Sequence, residues 1–589
     1  MKSDIFKIII AASIFLTSMV AEAQNLDPTV EVNRAYEGKL LEVNKPSMTM
    51  AVPDSVRQFA LDFDYSVFEN PYKGSYEFKP YQLLMKPYAS GKEVSQFWLK
   101  VGAGYTLHPE LSAVWTPDLK GKFRMNVYAD HNSYIGGYRT FSPGSLDKPA
   151  LTLARWNDKN RKVSYWNGYR MRSKAGFDGQ YDWEAGKFAF DAAYYGIASK
   201  DSLKNRAYDA VAVNLSVASK PQSGDHFLYD VTASYRFAED KLKYKFDDAF
   251  QAEHDFGFNA SVGQVFAGSH SVIFDLGFSS LFYSGEMPVN VGEIMIAPHY
   301  VFSKNRILFD VGVKIAKLFG PEQNINFQTK DQVIYPDVNV RFVAIPDVLS
   351  VYAKVGGGNR INSYMDILER NPFMDFSFAR TGALMDATVE RVSMRLGIEG
   401  HLAKRLAYDV HAGYANYKND LLDAVILSNT DSKEYMYMPG FIYAAYQKLY
   451  AGIDIDWRSD RVSFDGSFEY AAYKGAEEVY GAFTPSPITA DAAFEYNWNR
   501  RIFVGVDCRY ASSRKSVLTS TDSEISATFT PVKAVMPGFV DLGMYAEYAT
   551  SRKLSFWLRG GNLLNMTVQY TPLYAERGIN FTAGICLKL

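Results

Sequence analysis

Between about Phe97 and Leu589 the chain repeats one pattern, a run of apolar/polar alternation roughly ten residues long followed by a turn. Val211, Val213, Leu215 and Val217 alternate with Ala212, Asn214, Ser216 and Ala218. The next such run sets Tyr229, Val231, Ala233, Tyr235 and Phe237 against Asp230, Thr232, Ser234 and Arg236. Successive side chains of a strand point to opposite faces, so each run has one apolar face and one polar, charged face. Strands of that length and polarity predict a transmembrane antiparallel β-barrel, with lipid outside and water or polar groups inside.

Read by periodicity, the strands begin near Phe97, Leu111, Phe123, Ala175, Phe188, Tyr208 and Phe227. They continue near Phe256, Val272, Ile294, Ile307, Val338, Leu349, Val392 and Leu406. The last begin near Phe441, Val462, Ala492, Ile502, Phe539, Leu554 and Ile579, making about 22 in an all-β chain. Every second connection is tight and rich in turn formers, as at Pro117-Asp118, Gly268-Ser269, Pro346-Asp347 and Asn499-Arg500-Arg501. The intervening ones are mostly longer, such as Ile135–Ser173, Asn359–Glu390 and Ser512–Pro537. Outer-membrane barrels show this asymmetry, with the short turns periplasmic and the long loops outside. A β-propeller would instead repeat every ~40–50 residues with blade motifs, and the chain has no such repeat.

Ahead of the barrel, Lys2 and Lys7 precede or open an apolar run from Ile8 to Ala21, and Ala21-Glu22-Ala23 offers a small-x-small cleavage site. Residues 1–23 therefore read as an export signal, residues 24–96 as a short extended periplasmic segment, and residues 97–589 as the barrel. Aromatic residues make up 15% of the chain, led by 41 Tyr and 40 Phe, which suits girdles at both membrane interfaces. A net charge of −2 without a basic stripe argues against nucleic acid, and the outer-membrane lipid is the expected partner. Cys508 and Cys586 fall on opposite faces of strands that are not neighbours, and are expected as isolated thiols.

A ring of that many tilted strands is roughly 40 Å across, too wide for wall side chains to fill. Residues 24–96 are too few for a folded plug domain, and much of the segment reads as extended, proline-punctuated chain. Its densest stretch holds Asn70, Pro71, Tyr72, Tyr76, Phe78, Pro80 and Tyr81, a composition suited to docking against the inner wall or a partner protein that closes the pore. Inward-facing charges are numerous, and cross-strand pairing is expected to keep the wet lumen near neutrality. Asp454 and Asp456, beside Asp465 and Glu469 on the following strand, form the most acidic patch.

The C-terminus reads Gly560-Gly561-Asn562-Leu563-Leu564-Asn565, then Tyr570, Pro572 and Arg577-Gly578-Ile579-Asn580-Phe581, before a last alternating strand to Leu589. This resembles the last two strands of TonB-dependent receptors, with Leu564 in place of the usual aromatic and Leu589 in place of the usual terminal Phe. The N-terminal segment resembles that of plugless receptor-like barrels found in Bacteroidetes. The resemblance implies an outer-membrane location and a transport or receptor role, of a solute the sequence does not name.

No catalytic, cofactor or metal site is expected. The eight histidines are scattered, and no His-Glu-x-x-His, Gly-x-Ser-x-Gly or phosphate-cradling loop occurs. His401 and His411 flank one short turn and could be neighbours. Trp156, Tyr165, Trp166 and Tyr169, in the long connection after Ile135, are candidates for extracellular recognition by stacking, although large loops also fold around their own aromatics. The alternative to a transporter is a scaffold or accessory subunit of an outer-membrane complex, and a third option is an open diffusion pore.

Overall fold

The computed structural model describes residues 96–589, apart from residues 106, 120, 140–164, 202–203, 221–223, 245–247, 286–288, 321–331, 375–384, 403–404, 430–434, 477–480 and 519–531. The export segment and residues 24–95 therefore lie outside the described residues. The chain runs through β1 (Phe97–Gly104), β2 (Glu110–Trp115), β3 (Phe123–Arg139), β4 (Tyr165–Asp182), β5 (Gly186–Lys200), β6 (Lys204–Ser219), β7 (His226–Tyr244) and β8 (Asp248–Phe266). It continues through β9 (His270–Gly285), β10 (Asn290–Lys304), β11 (Ile307–Phe319), β12 (Gln332–Ile345), β13 (Leu349–Ile361), a short helix α1 (Tyr364–Arg370), β14 (Ala387–Leu402), β15 (Leu406–Asn429) and β16 (Tyr435–Arg458). Last come β17 (Val462–Lys474), β18 (Ile488–Trp498), β19 (Ile502–Ala511), β20 (Arg514–Leu518), β21 (Val532–Met536), β22 (Phe539–Ala549), β23 (Leu554–Gly561) and β24 (Asn580–Lys588).

Twenty-two of these strands form one antiparallel sheet. It closes where β1 pairs with β24, from Trp98 opposite Lys588 to Gly104 opposite Thr582. Because β19 pairs directly with β22, the β20–β21 hairpin stands outside the ring. The outer face carries the apolar positions of each run, with Val211, Val213, Leu215, Phe274, Leu276, Phe278, Ile294 and Ile296 all exposed. On a closed barrel such a belt is covered by lipid rather than water, because closure leaves no unpaired backbone to solvate.

The expected strands are all present, but several that descend from the outer end start earlier than periodicity suggests and take up much of the expected connection. β4 starts at Tyr165 rather than Ala175, β8 at Asp248 rather than Phe256, and β16 at Tyr435 rather than Phe441. Above the lipid belt the outward positions turn polar, as at Asn205 and Asp209 of β6, so the alternation fades while the backbone ladder continues. The short turns use residues that tolerate a left-handed backbone, including Asn305 (φ 54), Asp347 (φ 60) and Asn499 (φ 53).

Inside, the charges are paired across strands. Arg236 meets Glu253 and Asp255, Lys314 meets Asp337, and Arg509 meets Asp491. The acidic patch is also paired: Arg458 binds Asp456 on its own strand and Asp465 on the next, and Lys448 binds Glu469. His401 and His411 do not meet, because the register sets His401 opposite Ala407 and His411 opposite Gly397. Both cysteines are free.

Candidate functional site at the outer mouth

The end of the barrel bearing the long connections is crossed by chain that folds inward. In the β13–β14 connection, Ser363 caps α1 and exchanges hydrogen bonds with Asp366, a capping box, before Asn371-Pro372 ends the helix. Seven residues are too few for a stable isolated helix, so packing must hold it. Tyr364, Met365, Ile367 and Leu368 are buried in one apolar cluster with Ile197, Tyr208, Leu242, Leu281, Tyr283 and Phe441 of the wall. This explains the burial along β6, where Lys204, Arg206, Tyr208 and Ala210 are buried while their neighbours in sequence are exposed. Tyr208 and Ala210 on the inner face of the strand are covered by the cluster that holds α1.

Polar groups fix α1 in place. Arg206 pairs with Asp240 at 3.0 Å, donates from Nη1 to the Pro372 carbonyl at 2.6 Å, and from Nη2 to the Tyr364 hydroxyl at 2.9 Å. The Tyr364 N–H meets Glu253 at 3.1 Å and the Tyr283 hydroxyl at 2.9 Å. Arg172 donates to the Glu369 carbonyl near the helix C-terminus, where a cation is favoured. A cavity of about 270 Å³ beside α1 is lined by Arg236, Asp255, Glu293, Asn359, Arg360 and Asp366, among others.

The β23–β24 connection folds in from the other side. Asn562 (φ 45) and Asn565 (φ 51) take the left-handed turns there, and the Asn562 amide donates to the carbonyls of Met566 and Arg577. Arg139 binds Thr567 and Asn565, and Arg170 forms a bidentate pair with Glu576. The two connections meet through aromatic rings: Phe373 stacks on Tyr574 at 4.7 Å and sets its edge to Tyr138 at 5.4 Å. A small extracellular blade buttresses them. Gly481 bonds both Val425 of β15 and Val517 of β20, Phe483 donates to Asp423 of β15 and Thr484 to Lys515 of β20, and Val425, Phe483, Ala534 and Met536 pack with Leu573. Arg514 ties the blade down, binding Asp423 at 2.9 Å and the Tyr570 carbonyl at 2.5 Å.

Burial opposes ionisation of Glu576, but the Arg170 guanidinium outweighs it and holds the carboxyl below its usual range. A carboxyl with a depressed folded pKa stabilises the fold above its unfolded pKa, and that contribution is lost as pH falls through the folded value. The Arg170–Glu576 contact is therefore expected to hold from neutral pH through about pH 5 and to fail only below about 4.3, the ordinary Glu pKa. Hydrogen exchange over residues 562–579, corrected for its intrinsic pH dependence, checks this. Loosening between pH 7 and 5 would contradict it.

Of the recognition candidates, Trp166 stacks on Tyr138 at 4.3 Å and meets Phe373 and Tyr574 edge-on, within the aromatic junction. The Tyr169 hydroxyl donates to Asn205 at 2.6 Å. Tyr165 opens β4 opposite Arg139, its side chain outside the described residues, as is Trp156. The docking candidates Asn70, Pro71, Tyr72, Tyr76, Phe78, Pro80 and Tyr81 also lie outside them. Asp409, His411 and Asp454 converge closely enough to suggest a cation site. Arg395, however, donates to Asp409 at 2.8 Å and stands 3.0 Å from His411 Nδ1, so a guanidinium already supplies the positive charge. Sequence reading missed Arg206, Glu253, Phe373 and Tyr574. The Ser363-to-Asp366 capping box was the one local signal of α1.

No protein-family model matches this chain, and no curated protein matches it in sequence. Solved structures do match in fold. The FrpB iron transporter from Neisseria meningitidis, F5-1 variant in its apoprotein form, superposes with a TM-score of 0.59 at 10% identity, covering 85% of this chain and 81% of that one. The copper transporter OprC gives 0.58 at 10% identity, with 85% and 81% covered. The siderophore receptor PirA from Acinetobacter baumannii gives 0.56 at 10% identity, again with 85% and 81% covered. The chain thus has the fold of large outer-membrane transporter and receptor barrels, and its place is the outer membrane.

Proposed function

We propose that this chain is a transport or receptor barrel of the plugless TonB-dependent receptor-like type, closed at its outer mouth by its own connections. The observation that carries the reading is the inward-folded cap. A lumen too wide for wall side chains to fill is spanned by α1 and the β23–β24 connection, and these are joined through Phe373 and Tyr574. Their attachment to the wall runs through the Arg170–Glu576 ion pair and hydrogen bonds with buried wall residues as well as apolar contact. Transporter and receptor barrels of the same fold support the assignment, although their printed cargoes are their own. Residues 24–96 or a periplasmic partner would close the other end.

Single-channel conductance of the refolded chain, full length and lacking residues 24–96, tests this. With the cap in place, neither form is expected to show wide, steady conductance. Wide conductance from both would make the protein an open pore. A deletion strain supplies the second arm: slower growth on one solute fits transport, whereas intact uptake with a depleted partner complex would favour the scaffold.

A further inference from the structure

The cap contains an unbalanced charge where the β23–β24 connection passes over the tops of β3 and β4. Arg170 and Arg577 stand there with Glu576 between them in sequence and in charge. Arg170 takes both oxygens of that carboxylate. Arg577 lies 5.5 Å from the Tyr134 ring centroid, and its Nη1 is buried without a hydrogen-bond partner. The Tyr138 hydroxyl, on a side chain 4% exposed, is likewise buried without a partner. It stands within electrostatic range of Arg170, Glu576 and Arg577. Gly578 adjoins the cluster, and a Cβ there would meet Asn565 Oδ1 at 2.9 Å and Arg139 Nη2 at 3.2 Å.

Burial, then the neighbouring Arg170, disfavours the charge on Arg577; Glu576 opposes them without offsetting them, and Glu110 and Arg559 act more weakly in opposite senses. A buried donor left unmade costs about 1–3 kcal/mol, and more when it is charged. Two such donors, on different elements beside one charged cluster, are both open to an acceptor. The apolar and aromatic surroundings would strengthen any charge-assisted bond formed there.

We propose that this junction binds an anionic group, a carboxylate or phosphate of a solute held in the outer mouth, with Arg577 as counter-charge and the Tyr138 hydroxyl as orienting donor. The inference rests on the transport reading and gives the solute its chemistry. Trp166, stacked on Tyr138, is a built-in reporter.

The test titrates citrate and, separately, inorganic phosphate into the full-length protein in detergent, at constant ionic strength set with chloride, reading tryptophan fluorescence. A saturable change with either anion is expected. It should disappear in Trp166→Phe, weaken about tenfold or more in Arg577→Gln and severalfold in Tyr138→Phe, as loss of a charged or neutral hydrogen bond predicts. Both of the latter variants should keep or raise the unfolding temperature, since Tyr138→Phe removes an unmade donor and Arg577→Gln a buried charge; a merely structural role would lower it. If Arg577→Gln does not form the barrel, Tyr138→Phe carries the test. No saturable change beyond chloride, an unaltered change in Trp166→Phe, or parental affinity in the variants would overturn the site. Conductance of the capped and uncapped barrel reads the transport proposal separately.

Discussion

Arg206→Ala is expected to release α1 from the wall and open the outer mouth. The side chains of Arg206 and Asp240 are 0% and 1% exposed, so the substitution leaves a buried carboxylate without its guanidinium. Breaking a buried pair from one side costs about 3–5 kcal/mol. The same change removes the donors to the Pro372 carbonyl and the Tyr364 hydroxyl, two of the contacts that hold the connection. The effect should stay local, because the barrel ladder does not depend on it. In the variant that also lacks residues 24–96 we expect wide conductance to appear, together with trypsin cleavage after the exposed Arg370. The barrel should still resist detergent. The pair Arg206→Met with Asp240→Leu should restore much of the lost stability, since it removes both charges of the buried pair together. It should still conduct more than the parent, because the Pro372 carbonyl loses its donor. Unchanged conductance and cleavage in Arg206→Ala would show that α1 is not a closure.

Leu396→Arg is expected to block membrane insertion. Leu396 lies in the middle of β14, faces outward and is 62% exposed. An arginine on the lipid face costs about 2–4 kcal/mol near the bilayer midplane and little near its edges. Ser393→Arg, three residues away and therefore on the lumen face, is the control and should insert normally. The readout is the fraction of refolded protein that becomes heat-modifiable in lipid vesicles. Equal yields from the two variants would mean that the outward belt is not in lipid.

Both predictions draw on the chain at different depths. The parity that separates Leu396 from Ser393 is visible in the sequence, because a strand has a period of two and one face must match lipid. The partners of Arg206 are not. Asp240 lies on the next strand, but Tyr364 and Pro372 are more than 150 residues away, at separations of 158 and 166. Arg170 and Glu576 are 406 positions apart. Nothing local marks such residues, since a buried arginine on an inner face reads the same as one in a wet lumen. Likewise Trp166 reads as a loop aromatic open to a ligand, whereas the barrel brings Tyr138, Phe373 and Tyr574 around it.

The sequence by itself determined the membrane class, the strand count, the antiparallel order and which face of each strand meets lipid. These follow from periodicity and turn chemistry, which are local and repeat along the chain. Only the tertiary structure decided how the outer mouth is filled. The inward course of α1 and of the β23–β24 connection depends on contacts made after the ring closes, when wall positions far apart in sequence present one apolar and charged surface. A seven-residue helix and an eighteen-residue connection from Asn562 to Ile579 hold their shape through that surface, not through propensity of their own.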